Sequence, residues 1–305
     1  MSWRVSRKLS ACSAVLITSL AISSCSAGTS TAKPPTGHVD GTPAASSTPD
    51  IAHLSRLDAS ASASPSATPS GAPARPVPTG PPAATTAGWK RPLLTENFTS
   101  PLRDSIWSVY DDPNGDTPRS EDAVRVANGY LNISGGFNSA GKDVSGGVGS
   151  RIDQKYGRWE VRFRVDQGAG YSAVLLLWPD NDSDWPQAGE VDFAEIANAD
   201  RSRASMFVHY GKENHQLSGK MTADFTKWHT VAVEWTPAHV AFYLDGKLLR
   251  FGANKTTGAQ AIPEMEPMHL AIQLDKGCDD WTPCRNSSTP PKVVMQVDWV
   301  KIYGF

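Results

Sequence analysis

Apolar and polar residues alternate along several stretches of the chain, and a period of two predicts β-strands. Residues 158–165 (RWEVRFRV) alternate over four apolar positions, and residues 229–235 (HTVAVEW) repeat the pattern. The same reading of residues 293–303 (VVMQVDWVKIY) predicts that Val297 and Trp299 share one face of a strand. These segments are therefore expected to form half-buried strands.

The remaining patterns also favour strands. Asp245-Gly246 separates two apolar runs within residues 239–251, which is a strong signal for a two-residue β-hairpin. Residues 171–178 (YSAVLLLW) form a continuous apolar run, as expected of a strand buried on both faces, and no segment shows a long helical period. Many strands separated by turns, in about 217 residues, predict an all-β fold: an antiparallel two-sheet sandwich of the jelly-roll type.

Composition divides the chain into three parts. Residues 26–88 contain no Trp, Tyr or Phe and are dense in Pro, Ser, Thr and Ala, so they are expected to form a disordered linker. A semi-rigid spacer and a tolerated low-complexity segment are compatible readings of this linker. Residues 89–305 then form one folded domain. The net charge of −2 gives no indication of a nucleic-acid partner, and we expect a monomer.

Residues 1–25 have the pattern of an export signal, with a basic start followed by an apolar run too short to span a bilayer comfortably. The run ends in Ile22-Ser23-Ser24-Cys25, which resembles a bacterial lipobox. In that reading Cys25 carries a lipid that anchors an exported protein to the cell surface. The alternative is an ordinary secretory signal cleaved nearby.

The cysteine count leaves one pair for the folded domain. Cys12 lies in the signal and Cys25 in the lipobox, so Cys278 and Cys284 remain. In an exported protein we expect these two to form a disulfide that closes a short loop. The absence of further thiols argues against a metal site of the CxxC type.

Three carboxylates lie within residues 189–196 (GEVDFAEI). On a regular strand Glu190 and Asp192 share a face and Glu195 points to the other, because successive side chains alternate. One extra residue, a β-bulge, would bring Glu195 onto the face of the other two. Glu190 and Glu195 would then lie roughly 13 Å apart at Cα, within leaning reach of each other. Two converging carboxylates about 5 Å apart are what retaining cleavage of a glycosidic bond requires.

The acid motif and its flanks resemble glycoside hydrolase family 16, in the laminarinase-like form with a bulged E-x-D-x-x-E strand. The resemblance covers nearly all of residues 89–305, in order, through YGRWEVRFRV, DWPQAGEVDFAEI, FVHYG, WHTVAVEWTPAHVAFYLDG and VDWVKIYGF. It implies a concanavalin A-like jelly roll and a retaining mechanism that needs no cofactor. By this resemblance Glu190 is the nucleophile, Asp192 the assisting acid and Glu195 the general acid/base.

Four further residues are candidates for binding a polysaccharide substrate. Sugar rings present apolar faces, so aromatic platforms are expected along a cleft, and Trp185 and Trp178 are the candidates. The resemblance places His209 and Gln273 at the cleft as well. Core packing of the two tryptophans, and a structural role for His209, are the alternatives.

Some members of the family bind a structural calcium between the first and last strands of the domain. Glu96 and Asp298 match those positions, and hard oxygen ligands suit Ca²⁺. The resemblance therefore allows a structural calcium held by this pair.

Two departures from the family's pattern bear on the substrate. Leu175 stands where many relatives have a Trp, which suggests that one aromatic wall of the cleft is missing or is supplied by Trp178. A loop expected to be disulfide-closed, carrying Trp281, replaces a commoner glycine-rich stretch. We expect an endo-β-glucanase acting on β-1,3-glucan or mixed β-1,3/1,4-glucan, with galactans still open. The alternatives are a transglycosylase using the same site and a non-catalytic carbohydrate-binding module.

Overall fold

The computed structural model of the chain describes residues 82–254 and 259–305. The predicted signal, the lipobox with Cys25, and the predicted linker up to residue 81 lie outside the described residues.

The described residues form one short α-helix, three short 3-10 helices and a series of strands. The helices are α1 (Ala83–Ala87) and the 3-10 turns Glu121–Ala123, Asp182–Asp184 and Ala259–Ala261. The strands are β1 (Leu94–Glu96), β2 (Trp107–Val109), β3 (Val124–Ala127), β4 (Tyr130–Phe137), β5 (Asp143–Val144), β6 (Gly146–Ser150), β7 (Gly157–Val165), β8 (Tyr171–Pro179), β9 (Glu190–Ile196), β10 (Arg203–Tyr210), β11 (His215–Thr222), β12 (His229–Trp235), β13 (His239–Leu244), β14 (Lys247–Asn254), β15 (Met268–Lys276) and β16 (Lys292–Tyr303).

These strands build two antiparallel sheets, which confirms the predicted sandwich. The first sheet runs β14-β13-β12-β7-β16-β4-β3, with β1 added to β16 and β5 added to β4. The second sheet runs β11-β10-β9-β8-β15-β6-β2. Strand β9, which carries the acid motif, therefore lies inside the second sheet between β10 and β8.

One continuous hydrophobic core lies between the sheets. It is supplied by alternate residues of the predicted strands, such as Trp159, Val161 and Phe163 from β7. The predicted hairpin is confirmed, because Asp245 and Gly246 alone connect β13 to β14, with φ of 49° and 77°. Two successive residues with positive φ are the signature of the type I′ turn, whose twist matches that of the paired strands.

The prediction for the last strand was wrong at Trp299. The pairing of β16 with β7 shifts by one residue between Val297 and Trp299. Because of this bulge the core residues are Val293, Met295 and Val297 and then, after a gap of two positions, Val300 and Ile302. Trp299 is displaced from the core face and packs beneath the ammonium of Lys301, 4.5 Å from its ring.

Leu175, which stands where many relatives have a Trp, also differs from expectation in the direction of its side chain. Leu175 is fully buried in the core between the sheets, together with Ala173 and Leu177. Val174 and Leu176 belong to a separate cluster on the opposite side of β8. Because Leu175 faces the core, the residue at this position does not form a wall of the outer face.

The folded part of the chain begins before residue 89. Helix α1 lies against the outer face of the first sheet, where Ala83 packs on Ala232 and Ala241. The buried carboxylate of Glu160, on β7, accepts a hydrogen bond from the backbone N–H of Ala83. Trp89 continues this contact with its ring centroid 5.4 Å from that of Tyr243. The last residues of the predicted linker are therefore docked on the domain.

Candidate active site

The β-bulge predicted from the spacing of the acids is present in β9. Ala194 pairs with Leu175 of β8, whereas the next partner, Leu176, pairs with Asp192, so β9 carries one extra residue. Phe193 and Ala194 are adjacent in sequence and both lie in the core. Glu195 is thereby returned to the side of β9 that carries Glu190 and Asp192. We call this outer side of the second sheet the site face.

The acids of the site face are tightly grouped. Glu190 and Asp192 are buried, at 8% and 1% exposure, and Glu195 is half-buried. Carboxylate oxygens of Glu190 and Asp192 and a ring nitrogen of His209 all lie within 4.8 Å of one another. Such a group resembles a metal-ligand set, but the imidazole is already held by a carboxylate and an amide.

Burial and mutual repulsion shift the proton affinities of the two glutamates. Burial, and then the charge of Asp192, raise the pKa of Glu190, whereas His209 and the indole N–H of Trp185 oppose this rise. Burial raises the pKa of Glu195 well above its usual range, reinforced by the charges of Asp192 and Glu190. The site face therefore favours a proton on at least one of the glutamates at neutral pH.

His209 supplies a positive charge to this group. Its Nε2 lies 3.2 Å from Asp192 Oδ2, and its Nδ1 lies 2.8 Å from Asn214 Oδ1. Burial disfavours the charged ring, but the hydrogen bond to Asp192 and the charges of Asp192 and Glu190 outweigh it and raise the pKa of His209 to about 10. With both ring nitrogens facing oxygen acceptors, His209 is held as an imidazolium.

Trp185 and Trp178 lie together beside Glu190. The indole Nε1 of Trp185 donates to Glu190 Oε2 at 2.8 Å. The two indole rings stack with centroids 5.9 Å apart and planes inclined by 19°. Trp178 is buried in the cluster with Val174 and Leu176, and Trp185 covers it. Trp185 is therefore both a donor to one glutamate and the outer ring of an aromatic pair.

Gln273 lies on the same face, two strands away from the acids. It pairs with Val174 of β8, which in turn pairs with Glu195, so the three side chains form one row across the sheet. Within the described residues, Gln273 Oε1, Asp192 Oδ1 and Glu195 Oε2 are buried oxygens with no hydrogen-bond partner. Because buried acceptors are normally satisfied, this row is suited to receive donors from a bound molecule.

Glu96 and Asp298 are not brought together. Glu96 pairs with Val300, a core residue, and accepts from the backbone N–H of Phe98. Asp298 lies on the outer face of the first sheet, in a buried ion pair with Arg162. The two carboxylates point to different faces, and each lies near a guanidinium, since Arg103 is 3.6 Å from Glu96. The structural calcium therefore gains no support from the contacts of these residues.

The predicted pairing of Cys278 with Cys284 is present, and it closes a loop that extends from the end of β15. The side chain of Trp281, within this loop, meets Phe207 of β10 with ring centroids 5.6 Å apart. Phe207 and Asn214 were not predicted as site residues. Phe207 pairs directly with Asp192, so the strand alternation of residues 203–210, once registered against the acids, is the signal that identifies it.

The fold and the site together define a class of protein. A jelly-roll sandwich with buried acids, aromatic rings and free acceptors on one sheet face is suited to a carbohydrate ligand. The profile of the glycosyl hydrolases family 16 matches residues 117–301, and the chain belongs to this family. Among the described residues, none of the helices is long and apolar enough to cross a membrane.

The chain is similar to curated proteins and to solved structures of this family. It is 28% identical over 166 residues to the beta-glucanase of Rhodothermus marinus, covering 48% of this chain and 57% of that relative. It is 25% identical over 163 residues to the probable xyloglucan endotransglucosylase/hydrolase protein 21 of Arabidopsis thaliana, covering 50% and 51%. The chain thus spans little more than half of each relative.

A solved structure has a fold similar to that of this chain. The catalytic domain of an endo-1,3-beta-glucanase (laminarinase) from Thermotoga petrophila RKU-1 matches with a TM-score of 0.63 at 20% identity. The match covers 70% of this chain and 97% of that chain. This likeness confirms the sandwich architecture.

Proposed function

We propose that the protein is a retaining endo-β-glucanase, with Glu190 as nucleophile and Glu195 as general acid/base. The observation that carries the proposal is the bulge in β9, which gathers three acids on one face although their spacing is odd. The buried carboxylates are costly to fold, because each must leave water. A surface that only binds sugar does not require such buried carboxylates, so catalysis is favoured over a binding module.

The contacts of the two glutamates support these roles. Trp185 donates a hydrogen bond to Glu190, which orients it as a nucleophile and opposes the rise of its pKa to about 8 that burial and Asp192 cause. Burial and the charges of Asp192 and Glu190 raise the pKa of Glu195, which is the direction that a general acid requires. Asp192 lies between them and, paired with His209, fixes the charge next to Glu190.

The reaction follows from this arrangement in two steps. Glu190 attacks the anomeric carbon while Glu195 gives its proton to the leaving oxygen, so that a glycosyl ester forms and the glycosidic bond breaks. Glu195, now a carboxylate, takes a proton from a water that attacks the same carbon and releases Glu190. A sugar hydroxyl in place of water would give transglycosylation, and the similarity to a plant protein named as an endotransglucosylase/hydrolase keeps this second candidate open.

The substrate we propose is β-1,3-glucan or mixed β-1,3/1,4-glucan. The bulged acid motif and the similarity to proteins named beta-glucanase favour this choice. The Trp178–Trp185 pair and the free oxygen of Gln273 provide a stacking surface and an acceptor for hydroxyl groups on the site face.

The test is reducing-sugar release by the full chain from laminarin, lichenan and agarose, beside Glu190→Gln. We expect the wild type to release reducing sugar and the variant to release none. NMR should show that the products keep the β-anomeric configuration. Glu213→Gln is a matched control, because the side chain of Glu213 is 73% exposed and lies outside the acid group. Release by Glu190→Gln equal to the wild type would remove Glu190 from the mechanism. Longer sugars among the products would indicate transglycosylation.

We also propose that the protein is exported, anchored through a lipid on Cys25 and monomeric. The basic and apolar N-terminal pattern and the Ile22-Ser23-Ser24-Cys25 sequence support export and lipidation.

A further inference from the structure

The loop between β15 and β16 crosses part of the site face. It leaves β15 after Lys276, and β15 is separated from β10 by β8 and β9. Three strand spacings amount to roughly 14 Å. Trp281 nevertheless contacts Phe207, a residue of β10, so the loop extends over the two strands between. One of these strands is β9, which carries the acids.

Several contacts other than the disulfide hold this loop in place. Asp279 Oδ1 accepts hydrogen bonds from the backbone N–H groups of Trp281 and Thr282, at 2.8 and 2.6 Å. Thr282 is buried within the loop, and its side chain fills the space that a Cβ on Gly277 would need. Gly170 N–H donates to the carbonyl of Pro283 and ties the far side of the loop to the start of β8. The position of Trp281 is therefore defined by its neighbours.

The contact between Trp281 and Phe207 lies beside the acids. Phe207 pairs with Asp192 across β9 and β10, and its ring centroid is 5.8 Å from that of His209. The planes of Trp281 and Phe207 are inclined by 62°, an edge contact, and the residue Trp281 remains 37% exposed. A large aromatic surface is thus held open to solvent next to the reacting groups.

The acids consequently lie between two aromatic pairs. Trp178 and Trp185 lie on the β8 side of β9, next to Glu190. Phe207 and Trp281 lie on the β10 side. A polymer that crosses β9 with its scissile bond over the acids would meet an aromatic ring on each side.

We infer that Trp281 and Phe207 form a sugar-stacking subsite for one pyranose ring of a β-linked glucan, on the β10 side of the cleavage point. The inference rests on the proposed function for the identity of the polymer. The disulfide-closed loop is the device that holds Trp281 in this position, and the axial C–H face of a glucose ring is the chemistry that the indole recognises.

The test separates binding from turnover. In the Glu190→Gln background, the Kd of laminarihexaose is measured by titration calorimetry with and without Trp281→Ala. In the active protein, KM and kcat on laminarin are measured for the same change. Loss of the indole is expected to raise Kd and KM about tenfold, which corresponds to the stacking energy of one aromatic ring. The kcat value is expected to stay within about twofold, because Trp281 takes no part in bond making.

Three variants sharpen the result. Trp281→Phe keeps a ring and should recover most of the affinity, whereas Trp281→Leu keeps apolar packing against Phe207 without a ring and should not. Phe305→Ala is the matched control, because Phe305 is an aromatic residue 71% exposed that packs on Tyr156, away from the site face. A Kd for Trp281→Ala within twofold of its parent would overturn the inference. Absence of sugar release by the wild type, with Trp281-dependent binding intact, would instead reject the hydrolase and retain the subsite.

Discussion

At the scale of single residues, the site is a balance between three carboxylates and one imidazolium. Asp192 contacts His209 directly, and the charges of both reach Glu190 and Glu195. The negative charge raises the pKa of each glutamate and the positive charge lowers it. Asp192 and His209 therefore shift the pKa values of the two glutamates in opposite directions. Replacing one or the other should move the pH profile of kcat/KM in opposite directions.

Removing the imidazolium should shift the profile to higher pH. In His209→Gln, the pKa of Glu190 and the pKa of Glu195 both rise, because the nearby positive charge is lost. If Glu190 is the nucleophile and Glu195 the general acid, as we propose, the acid limb of kcat/KM reports ionisation of Glu190 and the alkaline limb reports deprotonation of Glu195, so both limbs should move to higher pH. We expect kcat/KM at the optimum to fall roughly 10- to 100-fold, the effect of one hydrogen bond to a charged group. An unmoved profile would show that His209 is neutral in the active protein.

Removing the carboxylate at position 192 should do the reverse. In Asp192→Asn the amide keeps the shape of the side chain but not its charge, so the pKa values of Glu190 and Glu195 fall. Both limbs of the kcat/KM profile should move to lower pH. The measurement is kcat/KM across the same pH series as for His209→Gln, and Glu213→Gln is the control, whose profile should match that of the wild type. A shift to higher pH in Asp192→Asn would contradict the charge balance described here.

At the scale of elements, the disulfide-closed loop has a separable role. Replacing Cys278 and Cys284 together by Ser should lower the free energy of unfolding by about 2 kcal/mol, because the sequence separation of six residues closes a short loop. It should also raise KM on laminarin in the direction expected for Trp281→Ala. The measurements are denaturant unfolding and steady-state kinetics. Dithiothreitol should lower the free energy of unfolding and raise the KM of the wild type, and it should change neither value in the double variant. Equal changes in both proteins would show that reduction of the disulfide is not their cause.

The strands could be predicted from the sequence wherever the alternation was regular. The bulge in β9 was also predictable, because the odd spacing between Asp192 and Glu195 is otherwise incompatible with a shared face. The bulge in β16 was missed, although the sequence carries its signal: the apolar positions change phase after Trp299, where Val300 and Ile302 flank the polar Lys301. A second hairpin was predictable but missed: Asn128-Gly129 connects β3 to β4 with φ of 55° and 77°, the same signal as Asp245-Gly246.

Side-chain contacts between distant segments could not be predicted from one sequence. The distance between Trp281 and Phe207 depends on the path of a loop over two strands, and no periodicity encodes that path. The side-chain contact between His209 and Asp192 could be predicted only with the register of β10 against β9 in hand. Asp298 was matched to a calcium ligand by position alone, and its ion pair with Arg162 depends on the register of β16 against β7.

At the scale of the whole molecule, the sandwich places the site face and helix α1 on opposite sides of the core. Helix α1 is docked on the outer face of the first sheet through Ala83 and Glu160, and Trp89 packs there as well. The site face belongs to the second sheet, on the other side of the core. The first described residues therefore lie against the sheet that does not carry the acids.

This separation gives a prediction about the proposed anchor. In the native host, Cys25→Ser should move the protein from the membrane fraction to the medium, because the acylated thiol is the attachment that we propose. The kcat/KM on soluble laminarin should stay the same, since the change lies outside the catalytic domain. Cys12→Ser is the matched control, because Cys12 lies within the predicted signal and should leave the protein in the membrane fraction. Retention of Cys25→Ser in that fraction after a carbonate wash would reject the lipid anchor, whereas release of wild type and variant alike would indicate an ordinary cleaved signal.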